Sequence, residues 1–196
     1  MRQNKVLIRF LLTAGVLYVV WDYFYKSVLE EDGVFIRQVA AHVAKVSVSI
    51  LQLFGWDAAV RPYPYPSGLS FDTLITLGGQ SLVWIDSGCT GLTLMALFAG
   101  FIIAYPGPLA KKAWYIPVGL LAIYLVNIIR VVALAINHIV SQSSFDFNHK
   151  YTYTLATYVA ILALWMLWAN RLSGFSLAGE AEEPAEQAQD KTTHVS

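Results

Sequence analysis

The chain has 196 residues, 57% of them hydrophobic and only 13% charged, with a mean hydropathy of +0.54; soluble domains carry about 25% charged residues, so this composition belongs to a bilayer. The formal net charge of +0 leaves no basic field to attract nucleic acid. A single cysteine, Cys89, excludes an intrachain disulfide, CxxC redox chemistry and a cysteine-cluster metal site, and the length suits one membrane-embedded domain over residues 1–175.

Lys5 to Tyr25 reads as the first span, with Arg2, Lys5 and Arg9 at its start and Trp21, Tyr23 and Tyr25 as an interfacial aromatic belt. Its apolar run ends in Trp21-Asp22-Tyr23-Phe24-Tyr25 rather than at a small-residue cleavage site, so we expect it to be retained. From Gly33 to Trp56, apolar stretches are interrupted by Arg37, His42 and Lys45. We expect a helix along the outer interface, its long cationic side chains snorkelling to water. A crossing here requires another before Cys89, and Leu74 to Ile85 is too short and Gly-rich for that. Residues 57–88 carry Pro62, Pro64 and Pro66, then Phe71, Leu74, Thr76 and Val83. They read as a loop and a small β-hairpin around Leu77-Gly78-Gly79-Gln80, lying over the mouth of the site.

Cys89 to Tyr105 is the second span, stopped by Pro106-Gly107-Pro108; Trp114 to Val140 is the third and Tyr151 to Leu172 the fourth. Residues 176–196, rich in Ala, Glu and Gln, are expected to form a disordered cytoplasmic tail. The fold class is an all-α integral membrane protein: about four transmembrane helices, an interfacial helix and a small extracytoplasmic loop or β-hairpin. Lys111 and Lys112 place the turn between the second and third spans in the cytoplasm, together with Arg2, Lys5 and Arg171. Cys89, the 141–150 loop and His149 then lie on the extracytoplasmic side. Counted from Val140 down a straight helix, Arg130 is about 15 Å deep.

Cys89 stands between Gly88 and Thr90-Gly91 at a helix start, where the dipole and free backbone N–H groups favour the thiolate. The bland alternative is a small buried filler. Arginine within a span normally faces a polar cavity and has a partner, which makes Arg130 conspicuous. Asn127 lies one turn before it and Asn137 two turns after, giving the third span a polar stripe. Snorkelling, or an ion pair with Asp86, is the structural alternative. His149 opens the fourth span and has the chemistry of a general base and acid, with Asp146 or Asn148 available to fix its tautomer. His138 is the rival histidine, about 80° around the third helix from Arg130; His42 is expected at the surface. Glu30-Glu31 followed by Arg37 does not carry the spacing of an intramembrane glutamate protease. Ser87 lacks the Gly-x-Ser-Gly of a rhomboid, and no His-Glu-x-x-His metal motif occurs.

Cys-Thr-Gly-Leu at 89–92, Asn-x-x-Arg at 127–130 and His149 opening the next span together resemble the exosortase/archaeosortase family of membrane cysteine transpeptidases, in its short bacterial form. Thr90 is a departure, since other members carry serine or alanine there. The resemblance implies Cys89 as nucleophile, Arg130 as stabiliser of the thiolate or oxyanion, and His149 as proton shuttle, with Asn127, Asp86 and Asn148 in support. It implies substrates that are exported proteins bearing a C-terminal sorting signal, a bacterial inner-membrane location, and no cofactor or metal. The non-enzymatic alternative is an integral membrane scaffold or assembly factor for envelope polysaccharide or protein export.

Overall fold

A computed structural model describes residues 2–30, 33–64, 71–85, 87–140 and 152–174. Helix α1 spans Arg2–Phe24 and continues as a wider π-helical segment over Tyr25–Glu30. Helix α2 spans Val34–Leu53. The strands β1 (Ala58–Pro64), β2 (Phe71–Leu77) and β3 (Gln80–Ile85) follow, and then a 3-10 turn over Ser87–Thr90. Helix α3 is Leu92–Ala104, α4 is Leu109–Val140, and α5 is Tyr153–Leu167 with a π-helical end at Trp168–Leu172. The chain is mostly helical, with one three-stranded antiparallel sheet in the order β1-β2-β3. Asp86, the 141–150 loop with Asn148 and His149, and the tail 176–196, on which the sequence sets expectations, lie outside the described residues.

The expected hairpin is present. Gly78 and Gly79 turn it with φ of 53° and 85°, the left-handed geometry that a two-residue hairpin loop requires. Part of the preceding stretch, expected as loop, is strand β1 instead. Pro62 and Pro64 are two residues apart, so both nitrogens that lack a hydrogen face the same outer edge, and the N–H groups of β1 that face β2 are kept. Along β3 the side chains alternate: Val83 and Ile85 are buried while Trp84 is exposed.

Two apolar clusters organise the molecule. The first joins Phe98 and Ile102 of α3, Tyr115 and Ile123 of α4, and Ile161 with Trp168 at the end of α5. The second joins one face of α2 (Ala40, Val43, Ala44, Val48, Leu51) to the inner face of the sheet (Ala58, Ile75, Val83, Ile85), to Ile128, Val131, Leu134 and Ala135 of α4, and to Cys89. Helix α4 reaches both because its 32 residues run about 48 Å, well beyond the roughly 30 Å of hydrocarbon. Its first half packs on α3 and its second half on α2 and the sheet.

At the α3–α4 crossing the Phe98 ring occupies the place a Cβ on Gly119 would take, so the glycine is what lets the helices close. The turn below is capped by its own lysines. Lys112 Nζ donates to the carbonyls of Ile103 at 2.8 Å and Tyr105 at 2.7 Å, and Lys111 Nζ to that of Leu172 at 3.1 Å. These are end-of-helix carbonyls that otherwise have no intrahelical donor. Helix α1 packs on α3 by aromatic edges, with Phe10 set 5.5 Å from Phe101 and 5.7 Å from Tyr105 between ring centroids. Its other faces expose Leu11, Leu12, Val16, Val19 and Val20.

Among the described residues, four helical segments are long and apolar enough to cross a bilayer: Leu7–Leu29, Val34–Leu53, Leu109–His138 and Tyr153–Leu172. Helix α3 is apolar but shorter, at 13 residues or about 20 Å. The helical part of the second span therefore begins at Leu92 rather than at Cys89. Gly91 breaks it there: φ is 76°, which an α-helix cannot accommodate. Helix α2, expected as an interfacial helix, has the length of a span, yet Gln38, His42, Lys45, Ser49 and Gln52 form an exposed polar stripe along it.

Candidate active site

Cys89 sits in the 3-10 turn between strand β3 and helix α3, where sheet, α2 and α4 converge. It is 8% exposed, a buried thiol at the outer edge of the second cluster. A side chain of α4 holds the turn: Asn127 Nδ2 donates to the Cys89 carbonyl at 2.9 Å. Gly91 makes room for it. A Cβ at Gly91 would stand 3.3 Å from the Asn127 Cγ, in a left-handed backbone conformation that already favours glycine. Thr90 Oγ1 lies 3.4 Å from the Leu92 N–H, a weak cap at the entrance of α3.

The α4 stripe divides by role. Asn127 is fully buried and committed through its nitrogen, while its Oδ1 is buried without a partner among the described residues. Arg130, one turn on, is half-buried, and its Nε is buried and likewise unpartnered among the described residues. It lines a cavity of about 250 Å³ between α3, α4 and α5, with Thr93, Leu94, Leu97, Thr154, Thr157 and Tyr158. Asn137 Nδ2 is buried and unpartnered in the same sense. Unpaired donors in a low-dielectric setting are costly for stability, and they are what a reacting anion needs. Leu97 also lines a second, apolar cavity of about 240 Å³ with Ala14, Leu17 and Trp21 of α1, Gly100 of α3 and Trp165 of α5. The α3–α5 face is thus polar near the cysteine turn and apolar further in.

Of the residues the sequence singled out, Cys89 and Asn127 are brought together by that bond; Arg130 stands one turn on from Asn127 and faces the cavity with Thr93, whose lining does not include Cys89. His138 stands in the last turns of α4, and His42 is exposed, stacked on Tyr124 at 6.0 Å between ring centroids. No three metal-ligating side chains cluster among the described residues. The hydroxyls beside Arg130 escaped the sequence reading. Their signal was there: Thr93 stands four residues after Cys89, and Thr154, Thr157 and Tyr158 share one face of α5.

Lipid-facing apolar helices around a buried polar centre define a multi-pass membrane protein. The family model described as transmembrane exosortase (Exosortase_EpsH) matches residues 2–166, and the chain belongs to that family. No curated protein and no solved structure matches it.

Proposed function

We propose that the protein is a membrane cysteine peptidase or transpeptidase that cleaves the C-terminal sorting signals of exported proteins. Its site faces the extracytoplasmic side of a bacterial inner membrane. The observation that carries the reading is the Asn127–Cys89 bond, which ties the backbone of the chain's single cysteine to α4, one turn before an arginine whose buried Nε has no partner among the described residues.

In this mechanism the Cys89 thiolate attacks the carbonyl carbon of the scissile peptide bond. Negative charge moves to the carbonyl oxygen, and Arg130 stabilises it by hydrogen bonds that strengthen as the charge develops. Collapse breaks the C–N bond, His149 gives its proton to the leaving amine, and the acyl part stays on sulphur as a thioester. An acceptor nucleophile, deprotonated by the same histidine, then attacks the thioester and releases the thiolate. The polar stripe on α2 favours a helix at the outer surface over a lipid-facing span, since exposed Lys45 and His42 are expensive inside hydrocarbon. The α3–α5 face, polar at the cysteine and apolar beyond, suits a substrate whose cleaved segment leads into a membrane helix.

The test compares the C-terminal peptides of exported proteins from strains carrying wild-type enzyme or Cys89→Ala at matched membrane levels. Uncleaved C-termini should accumulate in the variant. Wild-type maturation in Cys89→Ala would favour a scaffold instead.

A further inference from the structure

Asn127 is fully buried, bonded through Nδ2 to the Cys89 carbonyl at 2.9 Å, and keeps a buried Oδ1 without a partner among the described residues. The amide orientation follows from chemistry: a carbonyl oxygen only accepts, so the nitrogen faces Cys89 and Oδ1 points away. A half-satisfied amide is a poor choice for stability alone, and leucine would fill the same volume with no unpaired oxygen. Fold stability therefore does not account for this side chain. Its contact does: the bonded carbonyl belongs to the nucleophile's own peptide unit. Holding that oxygen fixes the peptide plane after Cys89, and with it the direction of the Cα–Cβ bond. The next residue but one is Gly91, at φ 76°, a left-handed conformation that favours glycine, so the direction of the turn depends on how its flanks are held.

We propose that Asn127 is a positioning residue. By clamping the Cys89 carbonyl to α4 it aims the thiol at the face that carries Arg130, so that the guanidinium acts on the thiolate. The proposal rests on the reading of Cys89 as nucleophile, and the two fail separately. Precursor processing in Cys89→Ala decides that reading, whereas the reactivity of the thiol itself decides this one.

The test uses the purified protein, in which every cysteine adduct, read by peptide mapping, reports Cys89 because the sequence holds a single cysteine. The thiolate displaces iodide from iodoacetate, which is anionic, or from iodoacetamide, which is neutral and of similar size. A cation held at the sulphur favours the anionic reagent and lowers the pH at which the thiol becomes reactive. The ratio of the two rates should be at least about 5-fold higher in wild type than in Arg130→Gln. Asn127→Leu keeps Arg130 and the volume but removes the clamp. Its ratio should fall to within about 2-fold of that of Arg130→Gln, and the midpoint of its iodoacetamide pH profile should rise. Asn127→Ser, too short to reach the carbonyl, should behave alike and serves if the leucine variant does not fold. Gly91→Ala crowds Asn127, so its effect on the ratio should shrink once Asn127 is Leu. A wild-type ratio and midpoint in folded Asn127→Leu or Asn127→Ser overturns the proposal, leaving Asn127 a packing residue. Equal ratios in wild type and Arg130→Gln overturn it too, since no cation is then aimed at. A wild-type thiol that neither reagent modifies does the same.

Discussion

Among single residues, the proposed chemistry rests on Arg130 and the shape of the cysteine turn on Gly91. A guanidinium presents a planar fork of donors, and an ammonium presents a point charge on a flexible stem. Arg130→Lys should therefore lose more than about 10-fold in substrate cleavage, or about 1.4 kcal/mol of barrier, measured at matched membrane levels. Near-full activity would reduce Arg130 to a generic cation. Gly91→Ala forces a left-handed backbone on a residue with a Cβ and presses that Cβ on Asn127. It should cost about 1–2 kcal/mol, read as a lower unfolding temperature in detergent. The lone thiol and the mid-helix arginine were legible in the sequence because each is anomalous in an apolar chain. The Asn127–Cys89 bond was not, because nothing in a spacing of 38 residues says which backbone carbonyl an asparagine finds.

Helices and strands were legible where periodicity or punctuation was strong. The Gly78-Gly79 hairpin and the stop at Pro106-Gly107-Pro108 fall where the turn chemistry puts them. Strand β1 was hidden by its prolines, which read as loop until an edge position gives their nitrogens an unpaired side. The start of α3 was set three residues early because hydropathy runs straight through Cys89, whereas Gly91's backbone decides where the helix begins. Helix α4, the third expected span, begins at Leu109 rather than Trp114, since Lys111 and Lys112 sit within its first turn and cap neighbouring helix ends. At this scale Gly119 offers a sharp test. Gly119→Ala drives a methyl into the Phe98 ring at the α3–α4 crossing and should destabilise the protein by about 1–3 kcal/mol. Pairing it with Phe98→Leu, which withdraws the ring, should restore part of the loss. A fully stable single variant would mean that the crossing is looser than this geometry.

The whole molecule places a polar, buried centre beside a face that opens between membrane helices. The lysine pair at 111–112 caps the ends of α3 and α5, and the charge rule for cytoplasmic loops predicts that their turn lies inside. If that turn is cytoplasmic, a membrane-impermeant maleimide should label Cys89 in whole cells whose outer membrane, where present, is permeabilised. Labelling only after inner-membrane lysis would invert the topology and cut the site off from exported proteins. If Cys89 is the nucleophile, it carries the exported protein as a thioester between cleavage and transfer. The direct measurement incubates membranes holding accumulated precursor with wild-type or Cys89→Ala enzyme and looks for a higher-mass conjugate of the two proteins. The predicted result is a conjugate with the wild-type enzyme alone, resistant to the reductant TCEP, cleaved by neutral hydroxylamine, and mapped to Cys89. Cleaved precursor in the Cys89→Ala membranes, with no such conjugate in either sample, would contradict it.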